Sequence, residues 1–382
     1  MARGYSAWLL VATVFQAAAV ADIPAETRWL TNRIFCVDSP GAFVVKDDQS
    51  QSVRLVSGPV GARIIDEQGI FVWCPCEDQV GSHAVAVEVT QDGKKSVRQY
   101  AIEVKPLERV LFVLAHSDDE FPIFSKLIDL VQSGVEVRCL WLVNSRTRQQ
   151  ESTEAMTSLG IPVERLFFEP ERLGTVESLK AASDVIGRLL SEHRIDQVFT
   201  LGYECGHNQH DMTHFCTVDA VLRMGFKGQV YEYGLYNMFA GRPNLFSLIP
   251  AAMPSIRFTQ SEANVELIES LIPIYASQKH VTSLFDLALT SEQRRNTLYR
   301  PVPRWDFTRR PYQGILWYEL RANSPNDNFK KVSALVREYL ETHPRTNALP
   351  GIFEQDRPKD QLGLYQQDMM ADPRSAVSSE QE

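Results

Sequence analysis

The sequence predicts an α/β protein: a Rossmann-like, mostly parallel sheet with helices on both faces, preceded by a small all-β sandwich. Three observations carry this expectation. From Arg109 onward, apolar runs such as RVLFVLA, VEVRCLWLV and QVFTLG alternate with amphipathic segments, the pattern of strands covered on both faces by crossover helices. Before that point the chain holds only short alternating strands and turn clusters. Finally, 382 residues that are 44% hydrophobic and 23% charged suit two domains better than one.

Four segments follow in chain order. Residues 1–21, MARGYSAWLLVATVFQAAAVA, have an early cation (Arg3), an apolar stretch from about Ala7 to Val20 and the small-x-small site Ala19-Val20-Ala21. This is a secretory signal pattern with cleavage expected before Asp22. The apolar run is shorter than the roughly 20 residues a span needs, so no transmembrane span is expected in the mature chain. Export predicts a periplasmic or secreted protein. Residues 22–105 read as the β-sandwich. GIFVWCP is a strand, HAVAVEV puts His83, Val85, Val87 and Val89 on one face, and Asp92-Gly93 marks a hairpin before QYAIEV. Residues 106–345 form the α/β domain, and 346–382 form a polar tail with a disordered composition.

Within the α/β segment the elements follow the hydrophobic period. PIFSKLIDLVQSG is a helix closing on Gly134, and RQQESTEAMTSLG a helix stopped by Gly160. RLFFE is a strand. TVESLKAASDVIGRLLSEHR is a long helix with Leu179, Ala182, Ile186 and Leu189 on one face. QVFTLG and QVYEYGLY are further strands.

The net charge of −9 excludes a nucleic-acid backbone as the main partner, since phosphate binding needs a basic face. It leaves a neutral substrate such as a sugar open. If the chain is exported, its six cysteines meet an oxidising compartment. Cys36 with Cys74 or Cys76, and Cys205 with Cys216, are the candidate bridges. Cys74-Pro-Cys76 is not a redox CxxC.

Chemistry concentrates in two stretches. AHSDDE follows the strand RVLFVL, and GYECGHNQHDMTH follows the strand QVFTLG. Parallel strands bring both carboxyl ends to one edge, where ligands bind in open α/β sheets. Two imidazoles, one carboxylate and a remaining open position make a catalytic zinc arrangement. His116 and Asp119, three apart on a tight turn, could share one ion with His210. Asp118 lies beside a ligand without having to be one, which suits a general base. His207 could stabilise an oxyanion or protonate a leaving amine. The competing readings are structural: Asp118 or Asp119 as a cap for the helix near Phe121, and His207 and His210 as ordinary loop histidines. His210 and His214 form an HxxxH pair, but Asp211 occupies the place of the zincin Glu.

AHSDDE, GHNQH, the helix with Arg148, Glu151, Ala155, Leu159 and Gly160, and LIESLIPIYASQ together resemble the LmbE-like, or PIG-L, family of zinc-dependent N-acetylglucosaminyl deacetylases. The resemblance runs from about Arg109 to Gln278. It implies Zn2+ (or another divalent transition metal) on His116, Asp119 and His210, with Asp118 as base and His207 acting on the oxyanion or leaving amine. Arg148 falls where the family places a substrate-side arginine; an i,i+3 pairing with Glu151 is its bland alternative. Ser117 stands where the family has proline, and Gln209 where it has aspartate. Eukaryotic relatives carry an amide (Asn) at the latter position.

The implied activity is removal of an N-acetyl group from a GlcNAc-containing glycan or glycoconjugate outside the cytoplasm. A non-catalytic glycan-binding protein on a degenerate deacetylase domain is one alternative, and a deacylase of a longer N-acyl group another. GIFVWCPCEDQVGSHAVAVEVTQDG also resembles bacterial immunoglobulin-like and cadherin-like modules. Aromatics in YEYGLYNMF could stack on sugar faces, and Arg304, Arg309 and Arg310 could face an anionic group, with core packing and a solvated basic face as the alternatives.

Overall fold

The computed structural model describes residues 33–46, 50–65, 67–169, 173–251, 253–279, 295–320 and 327–343. The expected signal segment and the polar tail lie outside them.

Seven strands precede the α/β part: β1 (Ile34–Cys36), β2 (Gly41–Val44), β3 (Ser52–Ser57), β4 (Arg63–Ile65), β5 (Ile70–Trp73), β6 (Gly81–Gln91) and β7 (Lys94–Lys105). They form a four-stranded sheet, β1-β7-β6-β3, and a three-stranded sheet, β2-β5-β4. Alternation decides what faces inward. Val85, Val87 and Val89 of β6 are buried, as are Ile102 and Val104 of β7, and they share one core with Phe35, Phe43, Phe71 and Trp73. The hairpin turns at Asp92-Gly93, both with positive φ, as an Asp-Gly turn requires.

The second part holds nine further strands: β8 (Arg109–Leu114), β9 (Glu136–Trp141), β10 (Leu166–Phe168), β11 (Gln197–Leu201), β12 (Gln229–Tyr233), β13 (Tyr236–Asn237), β14 (Asn244–Leu245), β15 (Ile256–Thr259) and β16 (Asn296–Pro301). Its helices are α1 (Phe124–Gln132), α2 (Arg146–Ser158), α3 (Val176–Glu192), α4 (Asn208–Arg223), α5 (Glu262–Leu271) and α6 (Asp327–Thr342). The main sheet runs β10-β9-β8-β11-β12-β16-β15. The first five strands are parallel, and β16 and β15 close that side antiparallel.

Both faces are covered, which is why the strands are apolar without alternation. Helices α1 and α2 bury Phe124, Leu127, Ala155 and Met156 with Val110, Phe112 and Leu114 of β8. On the other face Thr200 of β11 meets Thr217 of α4. Helix α3 buries Leu179, Ala182, Ile186 and Leu189, each at most 2% exposed. Each of these larger side chains contributes about 1.5–3 kcal/mol of transfer free energy. Ser145 caps α2 through its side chain, so the helix starts two residues before Arg148.

Two expectations need correction. LIESLIPIYASQ, similar to a late family helix ending in Tyr-x-Ser-Gln, is not one continuous helix: α5 ends at Leu271 and short helical turns follow at 272–274 and 276–278. Pro273, lacking an N–H, cannot continue an α-helix. Nor is any of the candidate disulfides formed, since all six cysteines are free. Cys36 is buried while Cys74 and Cys76 are exposed, and Cys216 directs its thiol to the Leu179 carbonyl (3.5 Å) rather than to Cys205.

The β-rich part meets the main sheet at its amino-terminal edge. The Lys227 carbonyl, just ahead of β12, accepts from Arg33 N and Ile34 N (both 3.2 Å). Asp196, just ahead of β11, takes Lys105 Nζ at 2.5 Å and the amides of Glu108 and Arg109 at 3.0 and 2.8 Å. The opposite, carboxyl edge carries AHSDDE and GYECGHNQH. Among the described residues, no helix is long and apolar enough to cross a membrane.

Candidate functional site

Strand order reverses between β8 and β11: β9 and β10 lie on one side of β8, and β11 and β12 on the other. A crevice opens beyond the carboxyl ends at such a switch point. Register places Val113 of β8 beside Thr200 of β11, so the two motifs emerge next to each other. In the chain His116 and His210 are 94 positions apart; the parallel crossover brings them together.

The first motif is a tight turn. Asp119 N donates to the His116 carbonyl (3.2 Å), and the Asp119 carboxylate accepts back from His116 N (2.6 Å). Asp118 sits at φ +110, a conformation that costs free energy for any side chain and persists where the surroundings impose it. Glu120 imposes it here. Its Oε2 accepts from Asp118 N (3.0 Å) and Trp141 Nε1 (3.3 Å), and its Oε1 from Ser152 Oγ (2.9 Å) and Tyr275 Oη (2.5 Å). Tyr233 Oη donates to the Asp119 carbonyl (3.0 Å). Neither aspartate caps the following helix: the turn at Phe121–Ile123 and α1 have no side-chain cap.

The second motif opens α4. His207 is its N-cap residue, with Nδ1 accepting from Gln209 N (3.3 Å), which places the ring's proton on Nε2 as a donor. His210 enters the site from the first turn. His214, one turn on, points away and holds the Leu201 carbonyl through Nδ1 (2.6 Å). The preceding loop is tied by Asp211 Oδ1, which accepts from Glu204 N and Cys205 N (3.3 and 3.1 Å). Glu204 in turn accepts from Leu235 N, Tyr236 N and Asn237 Nδ2. Gly206 is needed for close approach, because a Cβ there would lie 2.3 Å from the Tyr236 carbonyl.

Three donors converge. His116 Nδ1 lies 3.1 Å from His210 Nε2, Asp119 Oδ2 lies 3.5 Å from His116 Nδ1, and Asp119 Oδ1 lies 3.2 Å from His210 Nε2. Ligands about 2.0–2.1 Å from a tetrahedral ion are separated by about 3.4 Å, so these spacings are those of three corners of a metal site. The donor set, two imidazoles and a carboxylate, fits a divalent transition metal. His116, His207 and His210 also offer nitrogens within 4.8 Å of one another. His207 therefore stands at the rim of the same centre.

Charge sorts the two aspartates into different roles. Burial works against ionising Asp119, but His210 and His116 outweigh it and hold the carboxyl well below its ordinary range, as a ligand requires. Asp118 is pushed well above its ordinary value by burial and then by Asp119, against the pull of Arg148. A buried carboxyl with a raised pKa in a polar cluster is a candidate for proton transfer. Burial lowers His210 below the ordinary histidine range.

Arg148 does not pair with Glu151. It donates to Gln278 Oε1 (2.5 Å), while Glu151 accepts from Ser277 N and Oγ (2.7 and 2.6 Å). The YASQ segment thus clamps both earlier motifs: Tyr275 on Glu120, Ser277 on Glu151, Gln278 on Arg148. Sequence reading quoted Glu120, Asp211 and YASQ inside motifs without giving them these contacts, and passed over Glu204. The glutamate between AHSDD and the apolar run FPIF was the visible signal for Glu120. Arg309 and Arg310, candidates for facing an anion, are paired with Asp306 and Glu319.

Residues 111–221 match the family model described as PIG-L, GlcNAc-PI de-N-acetylase. That stretch is therefore similar to the PIG-L family. Among curated proteins, none matches the chain. Similar solved structures include the zinc-inhibited form of teicoplanin deacetylase Orf2, at 13% identity and TM-score 0.38, covering 50% of this chain and 97% of that one. The conserved protein TT1542 from Thermus thermophilus is 17% identical at TM-score 0.42, covering 55% and 99%. GalB, the 4-carboxy-2-hydroxymuconate hydratase from Pseudomonas putida, is 14% identical at TM-score 0.38, covering 52% and 98%. At such identities and TM-scores, the reading of this site rests on its own side chains.

Burial of Glu204 pushes its carboxyl to about 8 despite three N–H donors, and Asp211 goes to about 7 for the same first cause. Both values lie above those of the unfolded chain, so each acid contributes stability that is full below its unfolded pKa and lost as pH rises through the folded one. The parent's Tm is expected to fall between about pH 5 and 8.5, and Glu204→Gln to fall less. Parallel melting curves with equal falls for the two proteins would mean that Glu204 is ionised in the fold.

Proposed function

We propose that the protein is a zinc-dependent deacetylase that removes the N-acetyl group from a GlcNAc-containing glycan or glycoconjugate outside the cytoplasm. One observation carries the reading: His116, Asp119 and His210 converge at metal-ligand spacing beside a buried Asp118 whose carboxyl burial pushes well above its ordinary value. The PIG-L description of residues 111–221 supports the substrate class. Export rests on the signal-like residues 1–21, and the β-rich segment 22–105 is read as an immunoglobulin-like module. That module would serve attachment or positioning, since its contacts described above lie at the sheet edge opposite the site.

A divalent ion on the three ligands supplies Lewis acidity toward the amide carbonyl. The protein's own groups do the rest. Asp118 accepts a proton from the attacking water as its oxygen bonds to the carbonyl carbon. His207, with a proton on Nε2, donates a hydrogen bond to the developing oxyanion. The C–N bond then breaks, the proton held by Asp118 passes to the departing nitrogen, and acetate and a free amine leave. Arg148, fixed by Gln278, offsets the negative charge around Asp118.

The test is amine release from N-acetylglucosamine oligosaccharides and lipid-linked N-acetylglucosamine by the chain lacking residues 1–21, loaded with zinc and again after chelation. Zinc-restored release supports the deacetylase. Tight zinc binding with no release from free, β-linked or lipid-linked substrates favours a glycan-binding protein, and release only from longer N-acyl groups favours a deacylase.

A further inference from the structure

Gln209 differs from the aspartate of the related motif, and the structure gives it a specific contact. Its Oε1 lies 2.7 Å from His116 Nε2, on the side of the ring opposite the metal ligands. We propose that Gln209 is a positioning residue: a neutral acceptor that holds the His116 proton on Nε2 and so leaves Nδ1 as the lone pair offered to the metal. The inference rests on the metal-site reading above and deepens it.

Two acceptors compete for the single proton of a neutral His116 ring. Gln209 Oε1 stands 2.7 Å from Nε2, a short and well-formed hydrogen bond. Asp119 Oδ2 stands 3.5 Å from Nδ1, and it is already engaged by His116 N at 2.6 Å. The shorter contact wins, and the proton goes to Nε2. Nδ1 is the nitrogen that faces His210 Nε2 at 3.1 Å, so the tautomer chosen by Gln209 is the one that can ligate. Outer partners of ligand histidines normally do this work and typically change metal affinity by about 10–100-fold when removed.

The choice of an amide follows from its neighbours. Asp118, Asp119 and Glu120 already put three buried carboxyl groups on one turn, and Asp118 is pushed up partly by Asp119. A carboxylate at 209 would add another negative group beside them. The amide supplies the acceptor without the charge. Gln209 N also donates to His207 Nδ1 (3.3 Å), so one residue sets the tautomers of both histidines at the rim, through its side chain for His116 and its backbone for His207.

The experiment pairs a spectrum with a metal titration. Long-range 1H–15N correlation of the metal-free protein, recorded above the titration of the ring and assigned with His116→Gln, reads which nitrogen carries the proton. The parent is expected to show His116 protonated on Nε2. Gln209→Met, equal in length but without an acceptor, should shift the ring toward a mixture of tautomers and weaken zinc, measured by chelator competition, by about 10–100-fold. Gln209→Glu, which restores an acceptor, should return the Nε2 tautomer and most of the affinity. A parent His116 protonated on Nδ1, or a Gln209→Met variant that keeps both tautomer and zinc affinity, overturns the proposal. A parent that binds no zinc while still showing the Gln209-dependent tautomer would instead overturn the metal reading.

Discussion

Replacing Asp118 by asparagine is expected to lower amine release by about 10²–10⁴-fold, the usual contribution of a positioned general base, while zinc affinity changes little. The substitution isolates the carboxylate. Asparagine is among the few residues that tolerate positive φ, so the backbone at φ +110 and its hydrogen bond to Glu120 persist. A second readout separates base from ligand. Burial and the Asp119 charge disfavour an ionised Asp118 in the fold, so the metal-free Asp118→Asn protein should melt at or above the parent's temperature at neutral pH. Loss of activity together with loss of zinc would move Asp118 into the ligand set. Full retention of activity would remove it from the mechanism.

Glu120→Ala should be the most damaging change outside the metal ligands. Glu120 is fully buried and receives four donors, from Asp118, Trp141, Ser152 and Tyr275. Its removal orphans all of them; each buried unsatisfied group costs about 1–3 kcal/mol, and partial relaxation brings the expected total to about 3–5 kcal/mol. The same change frees the strained turn that aims Asp118. Activity should therefore fall by a further ~10²-fold even under conditions where the variant is folded, the scale of a roughly 1 Å misplacement. Glu120→Gln retains one acceptor and should be milder on both counts. Denaturant titration with activity measured at saturating zinc separates the two effects. An alanine variant that stays within about 1 kcal/mol of the parent would show that water replaces the carboxylate.

The sequence by itself determined the fold class, the two strand-end clusters and the residue types they hold. These are local facts: apolar runs of strand length, helical periodicity in α3, and polar motifs placed where strands stop. Hydrophobic burial is read residue by residue, so Leu179, Ala182, Ile186 and Leu189 could be assigned inward before any coordinate was known. That the strands run parallel also follows from alternation of strand and helix; that β8 lies beside β11 does not.

Only the tertiary structure decided which acceptors hold those residues in place. Tyr275, Ser277 and Gln278 lie more than a hundred residues from Glu120, Glu151 and Arg148 in the chain, and nothing periodic links them. Hydrogen bonds between buried polar groups depend on distance and direction that local pattern does not encode. The same holds for Gln209, which as a sequence departure looks like a weakened site and in the fold sets its amide oxygen 2.7 Å from His116 Nε2. Disulfides failed as a sequence inference for the same reason: spacing says which cysteines exist, and only the packed chain says which face each other.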